Sequence, residues 1–219
     1  MVPPTTTSDE HATQRLLDAA EKLFAEKGFG TTSVREITTA AGCNVAAINY
    51  HFGNKQNLYV QVFQRRLNEL REQRLAAIGQ VAGSLAETHD VEMLLRAFAQ
   101  AFLRPLVDPQ QGPMMLQLMM REMINPHLPP GMFMEEMARP IQTAMVMALT
   151  NACPGLQPTD ALLCLHSLIA QLIHLIQARK ILADDQHPIL DIEGALEHVL
   201  KFSAAGIKAI AGDGDENSS

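Results

Sequence analysis

Residues 31–58, TTSVREITTAAGCNVAAINYHFGNKQNL, constrain this 219-residue chain more than any other stretch. Their signals describe two very short helices joined by a tight turn, with a third helix starting directly after. Ser33 and Glu36 have the spacing of a capping box, in which side chains and backbone donors at a helix start satisfy each other. Val34, Ile37 and Ala41 then fall on one apolar face. Gly42 breaks the helix where a left-handed backbone costs nothing. Asn44 suits the N-cap of a second helix whose Val45, Ile48 and Phe52 face inward. Gly53-Asn54 ends that helix, and Asn54 caps a longer one from Lys55.

Helices of about two turns cannot bury a core alone. Their shortness makes sense if the second must stand out far enough to enter a DNA major groove, as in a helix-turn-helix over about residues 34–53. The competing reading is an ordinary pair of core helices. Over residues 14–70 the chain resembles the TetR/AcrR family of bacterial repressors. The runs LLDAAEKLFAEKGFGTTSVREITTAAG and INYHFGNKQNLY carry the likeness. One position departs from the helix-turn-helix motif and another from the family pattern. Thr38 stands where a smaller residue is usual. Asn49 replaces an aromatic that many members carry, and an asparagine can bond an adenine edge. The resemblance implies an all-α fold, with a three-helix DNA-binding domain followed by a larger helical ligand-binding and dimerisation domain.

The net charge of -7 looks wrong for a DNA binder until the chain is divided. Residues 1–75 hold nine Lys/Arg and eight Asp/Glu, a net of +1, and residues 76–219 hold a net of -8. The acid thus lies away from the reading head. A head this weakly basic neutralises few phosphates, so affinity is expected to depend on two heads acting together. The three cysteines, Cys43, Cys153 and Cys164, form no CxxC pair and no even framework, which fits a reducing cytoplasm. No apolar run is expected to reach the length of a membrane span, and the start MVPPTTTSDE is no signal peptide.

The rest of the chain reads as helix. Residues 11–27 form the first, with Leu16, Ala20, Leu23 and Phe24 inward. A long helix covers residues 55–79, with Leu58, Val62, Leu67 and Leu70 inward and the charged stretch from Arg65 to Arg74 outside. Further helices are expected over residues 91–107 (ended by Pro105), 114–124, 133–153 (kinked or broken at Pro140), 159–182 and 191–211, with a turn at 184–188. Residues 1–10 and the acidic end 212–219 are expected to be disordered. The domains are then 11–72 for DNA binding and 73–211 for effector binding and dimerisation.

Expected DNA contacts are Asn44, Val45, Ala46, Ala47, Asn49 and Tyr50 in the groove of a double-stranded operator. His51 and Lys55, with Thr32, Ser33 and Arg35, are expected on phosphates. Ten of the twelve methionines lie between Met114 and Met147, and methionine lines adaptable apolar surfaces. A pocket for a hydrophobic small-molecule effector is expected from Phe98, Phe102, Met115, Met119, Met123, Phe133, Met137 and Met145, with His166 and His174. Plain helical core is the alternative. Arg121 is either the ligand's polar anchor or a structural residue. The last two helices carry more apolar surface than one chain needs. The resemblance implies a homodimer through them, centred on Leu165, Leu172, Ile176, Leu196, Val199 and Leu200.

No nucleophile elbow, phosphate loop or metal-ligand spacing appears, so no enzyme activity, metal, other cofactor or membrane partner is expected. A helical enzyme, and a ligand-binding or interaction protein without repressor activity, are the readings from other classes. In the regulator reading, an effector moves the helix at 55–79 and alters the spacing of two DNA-reading heads.

Overall fold

The computed structural model describes residues 6–182 and 192–216, and these are helical with no strand. The disorder expected for residues 1–5 and 217–219, and the turn at 184–188, lie outside the described residues. The chain divides into two compact units, and the division is not the one expected from sequence. The first is residues 1–69 with residues 108–133; the second is residues 70–107 with residues 134–219. The middle segment 108–133 therefore belongs to the same body as the helix-turn-helix.

In the first unit, α1 (Thr6–Lys27), α2 (Val34–Ala41), α3 (Ala46–Phe52) and the start of α4 (Lys55–Thr88) surround one core, and α6 (Gly112–Ile124) packs on α1. Leu16, Ala20 and Phe24 of α1, Ile37 of α2, Ile48 of α3 and Leu58, Val62 and Leu67 of α4 have no exposed surface. Each large apolar side chain buried this fully contributes about 1.5–3 kcal/mol. α1 begins five residues earlier than expected, at Thr6, and α4 continues nine residues further, through Gly79 and Gly83 to Thr88.

The charged stretch of α4 faces outward only in part: Glu72 and Gln73 are exposed, whereas Arg65 and Arg66 are half-buried and Arg74 is buried. Glu21 of α1 is 1% exposed and accepts from Arg65 at 2.6 Å and from Arg66. Arg65 also reaches Asp18 at 2.7 Å, and Arg66 reaches Glu69 at 2.7 Å. Two guanidinium groups around one buried carboxylate satisfy its lone pairs, which is the condition for a buried charge to persist.

The second unit holds the rest of α4, α5 (Val91–Val107), α7 (Arg139–Ala152), α8 (Pro158–Leu182) and α9 (Ile192–Glu216). Pro105 does not end α5, which continues two residues beyond it. α9 runs to Glu216, past the start of the expected disordered tail. The break expected near Pro140 is a π-helical turn, Met134–Ala138, leading into α7. Proline has no N–H to give the carbonyl four residues back. That carbonyl is Glu136 O, and the Arg71 guanidinium donates to it at 2.7 Å.

One helix departs from the expectation about membranes. Residues Pro158–Ala178 of α8 are long and apolar enough to cross one by length and composition, yet α8 packs against α7 and α9. Only 28% of that stretch is buried within the chain.

Removing one partner of a buried ion cluster strands the other charges. Glu21→Ala is expected to cost about 3–5 kcal/mol on that ground, read as a lower urea midpoint with unchanged slope.

Candidate nucleic-acid interface and effector region

The capping box at the start of α2 is complete. Ser33 Oγ accepts from Glu36 N at 3.2 Å, and the Glu36 carboxylate accepts from Ser33 N at 2.8 Å. Lys27 Nζ reaches the same carboxylate at 2.7 Å. The Lys27 bond, then the bonds from Ser33, hold the Glu36 carboxyl down to about 2. Gly42 closes α2 at φ 63, ψ 37, with its own N–H on Thr39 O and that of Cys43 on Thr38 O. Thr38 is 2% exposed and turns its hydroxyl back to Arg35 O, so its methyl is left for packing.

The regular part of α3 starts two residues after Asn44, yet Asn44 still caps it: its Oδ1 accepts from Ala46 N at 3.0 Å. Asn54 caps α4 in the same way through Asn57 N at 2.8 Å. Ile48 and Phe52 are buried, and this fixes the other face of α3 outward. Asn44, Val45, Ala46, Asn49 and Tyr50 are exposed and Ala47 is half-buried; Tyr50 keeps 75% of its surface. His51 lies half-buried beside them, its Nδ1 3.2 Å from Thr13 Oγ1. Arg35 and Ser33 are exposed at the start of α2.

Two of the residues expected on phosphates hold intramolecular bonds in the structure. Thr32 is 1% exposed, and its hydroxyl donates to Gly28 O at 2.8 Å. Lys55 donates to Phe29 O at 2.8 Å and Thr32 O at 3.0 Å, with its ammonium over the Phe29 ring. Both residues tie the loop after α1 in place. Arg15, which sequence reasoning missed, closes α2 by donating from Nε to Ala41 O at 3.1 Å. Nothing in the local sequence pairs positions 26 apart.

The residues expected to line an effector pocket are divided between the units. Phe98, Phe102, Met137 and Met145 are buried in the second. Met115, Met119, Met123 and Phe133 belong to the first, where Met123 is 79% and Phe133 45% exposed. His166 and His174 are exposed on α8. Arg121 spends its guanidinium on the last carbonyls of α1, Ala25 O at 2.8 Å and Glu26 O at 2.7 Å. Its neighbour Glu122 accepts from the Tyr59 hydroxyl at 2.8 Å and from the N–H groups of His127 and Leu128. Burial, then this bond to a carboxylate, raises the Tyr59 phenol above its ordinary range. The Arg121–Glu122 pair thus builds α6 into the first unit. A half-open pocket of about 250 Å³ lies there, walled by Phe29, Tyr59, Arg121 and His127, and no buried methionine lines it.

A different arginine is buried among the expected apolar lining. Arg74 of α4 is 4% exposed, its guanidinium 4.3 Å from the Phe102 ring centroid and its Nη1 3.5 Å from the Met137 sulfur. Its Nε is buried without a partner. Burial pushes its pKa down to about 10, which still leaves it cationic at neutral pH. Among the described residues only Glu21 and Arg74 are both charged and buried, and only Glu21 has counter-charges. A desolvated cation–π contact returns about 2 kcal/mol, against a penalty of several kcal/mol for a buried ion.

The profile of bacterial regulatory proteins of the tetR family matches residues 16–62, and that of the tetracyclin repressor-like C-terminal domain matches residues 96–206. The second alone covers half of the chain. The chain belongs to the TetR family of transcriptional regulators. The tetR-family match spans α2 and α3, the short helices of the candidate DNA-reading element. Among curated relatives it is 44% identical over 62 residues to the dual regulator CecR of Shigella flexneri, covering 28% of this chain and 27% of that one. It is 31% identical over 98 residues to the activator FasR of Mycolicibacterium smegmatis, covering 45% and 42%. The chain thus matches less than half the length of these relatives. Its fold is that of a TetR-family regulator from Mesorhizobium loti, with a TM-score of 0.64 at 19% identity over 93% of this chain and 98% of that one. A TetR-family regulator from Marinobacter aquaeolei gives 0.63 at 18% identity over 90% and 97%.

In this TetR-family chain the start of α2 depends on Glu36 being ionised. Its carboxyl is held below its ordinary value of 4.5, so its stabilising share is present above that pH and fades as pH falls toward 2. Lys27→Met is expected to move the Glu36 midpoint back toward its ordinary value, read by carbon-detected NMR titration. A midpoint unchanged by the substitution would leave Ser33 as the cause.

Proposed function

We propose that the chain is a homodimeric repressor that reads a pseudo-palindromic operator with α3 and leaves it on binding a hydrophobic small molecule. The observation that carries this is the two-sided character of α3. Its seven residues bury Ile48 and Phe52 and turn Asn49 and Tyr50 outward. Asn49 is assigned to a base edge. Ala46 and Ala47 allow close approach, and an alanine methyl can meet a thymine methyl. Asn44, Val45 and Tyr50 complete the groove-facing set. Arg35, Ser33 and His51 take phosphates, a shorter list than sequence suggested because the Thr32 hydroxyl is buried and the Lys55 ammonium is engaged on two carbonyls. A protein with these contacts works on the chromosome, in the cytoplasm.

The dimer face is assigned to α8 and α9. Leu165, Leu172, Val199 and Leu200 already sit in the chain's own core, with Leu200 fully covered, and Ile176 and Leu196 are half-buried. The surface left for a partner is instead Leu163 at 63%, Ile173 at 42%, Phe202 at 64% and Ile210 at 41% exposure. That moves the centre of the expected interface while keeping the two helices. A two-fold axis would then set two heads on one operator.

Asn49→Ala is expected to cost about 1–3 kcal/mol and to relax specificity at one base pair, measured on operator variants selected with the purified protein. Equal loss on every duplex would make Asn49 a backbone contact. Phe202→Glu is expected to give monomers of unchanged helicity in sedimentation, because a charge there meets the partner and not the chain's own core. An unchanged dimer would sink the assigned face.

A further inference from the structure

Resting on the ligand-responsive reading above, we infer that Arg74 is the anchor for the effector, and that the effector is an amphipathic carboxylate with an apolar tail. The inference starts from a cation that no carboxylate among the described residues answers. Arg74 is nearly fully buried, its Nε has no partner, and its remaining contacts are an aromatic face and a thioether. Of the two carboxylates of the π-helical turn, Glu136 is taken by Arg71 at 3.6 Å and Glu135 by Arg139 at 2.7 Å. Arg71 itself is occupied, since it donates to the carbonyl orphaned by Pro140.

A guanidinium in such surroundings favours a monoanion that brings its own planar pair of acceptors, and a carboxylate matches it in two parallel bonds. The surroundings also select the remainder of the ligand. Phe98, Phe102, Met137 and Met145 are buried in the same unit, and flexible methionines repack around an alkyl tail. A neutral lipid would leave the arginine unpaired, and a cationic one would repel it.

The chain has no tryptophan, so titration calorimetry on the full-length protein is the direct test. The probes are laurate, dodecanol and dodecyltrimethylammonium, each below its micelle concentration. Laurate is expected to bind at least about tenfold tighter than dodecanol, the least that a desolvated charge pair implies, with the ammonium weakest. Arg74→Met is expected to abolish that preference while melting no lower than the wild type without ligand, because it removes an unanswered charge. Laurate is expected to raise the melting temperature of the wild type alone. Equal binding of laurate and dodecanol, no binding of laurate, or full laurate preference in Arg74→Met would overturn the assignment. A large loss of stability in unliganded Arg74→Met would mark Arg74 as structural and would also overturn it. Release of an operator by dodecanol as readily as by laurate would overturn the carboxylate assignment while leaving the repressor reading in place.

Discussion

The buried carboxylate of Glu21 is the constraint on which the reading head depends. It holds Arg65 and Arg66 of α4 against α1, and thereby fixes the two helices that flank the short α2 and α3. Those short helices have too few residues to choose their own positions. Ile48 and Phe52 find a core only because α1 and α4 already supply Phe24, Leu58 and Val62. Once those two side chains are buried, the outward direction of Asn49 and Tyr50 follows from helix geometry alone. Lys55 and Thr32 close the same arrangement from the other side. Their polar ends satisfy carbonyls of the loop after α1, which would otherwise be left without donors.

What was legible in the sequence was the part set by neighbours a few residues apart. The Ser33–Glu36 box, the left-handed Gly42 and the Asn54 cap are all signals within four residues, and each stands in the structure as its residue types imply. The long helices were legible by period, some with ends placed to the residue, as in α5, and others misplaced by up to nine residues, as in α4, because a helix stops where packing stops supporting it. The failures share one cause. Arg65, Arg66 and Arg74 were placed outside because charged residues usually are; their burial depends on Glu21 in α1 and on Phe102 in α5, far away in sequence. Arg121 was left open between two roles for the same reason. Its partners are carbonyls 95 and 96 residues earlier, and a backbone acceptor leaves no trace in residue type. The assignment of segment 108–133 to the first unit rests on those bonds and on Glu122, so it was equally out of reach.

Pro140 shows how a local defect becomes a long-range tie. Its missing N–H frees Glu136 O, the π-helical turn widens the helix around it, and Arg71 of α4 supplies the lost donor. One turn further along α4, Arg74 enters the same region with no such acceptor. Two arginines on one helix thus meet opposite fates. One donates to a carbonyl that proline left over and pairs with the Glu136 carboxylate, and the other stays charged beside apolar groups.

Arg74 lies on the helix that begins at Lys55, beside the recognition helix, so a charge answered there acts on the same continuous backbone that supports the head. The size of the required effect shows why a charge is suited to the task. Turning an operator from mostly occupied to mostly free takes a difference of about 10⁴-fold in ligand affinity between the two states, about 5.5 kcal/mol. In a dimer with two ligand sites each site need supply about a hundredfold, the square root of that figure. Apolar contacts of the tail form almost equally well in any state that keeps the tail covered, and such uniform binding shifts nothing. A desolvated ion pair depends steeply on distance and geometry, with coupling energies of about 1.5–7 kcal/mol between close charges. A small displacement of α4 that strains the pair in the DNA-bound state therefore suffices. The tail would set the affinity of this regulator for its effector, and the head group would set how strongly the effector opposes DNA.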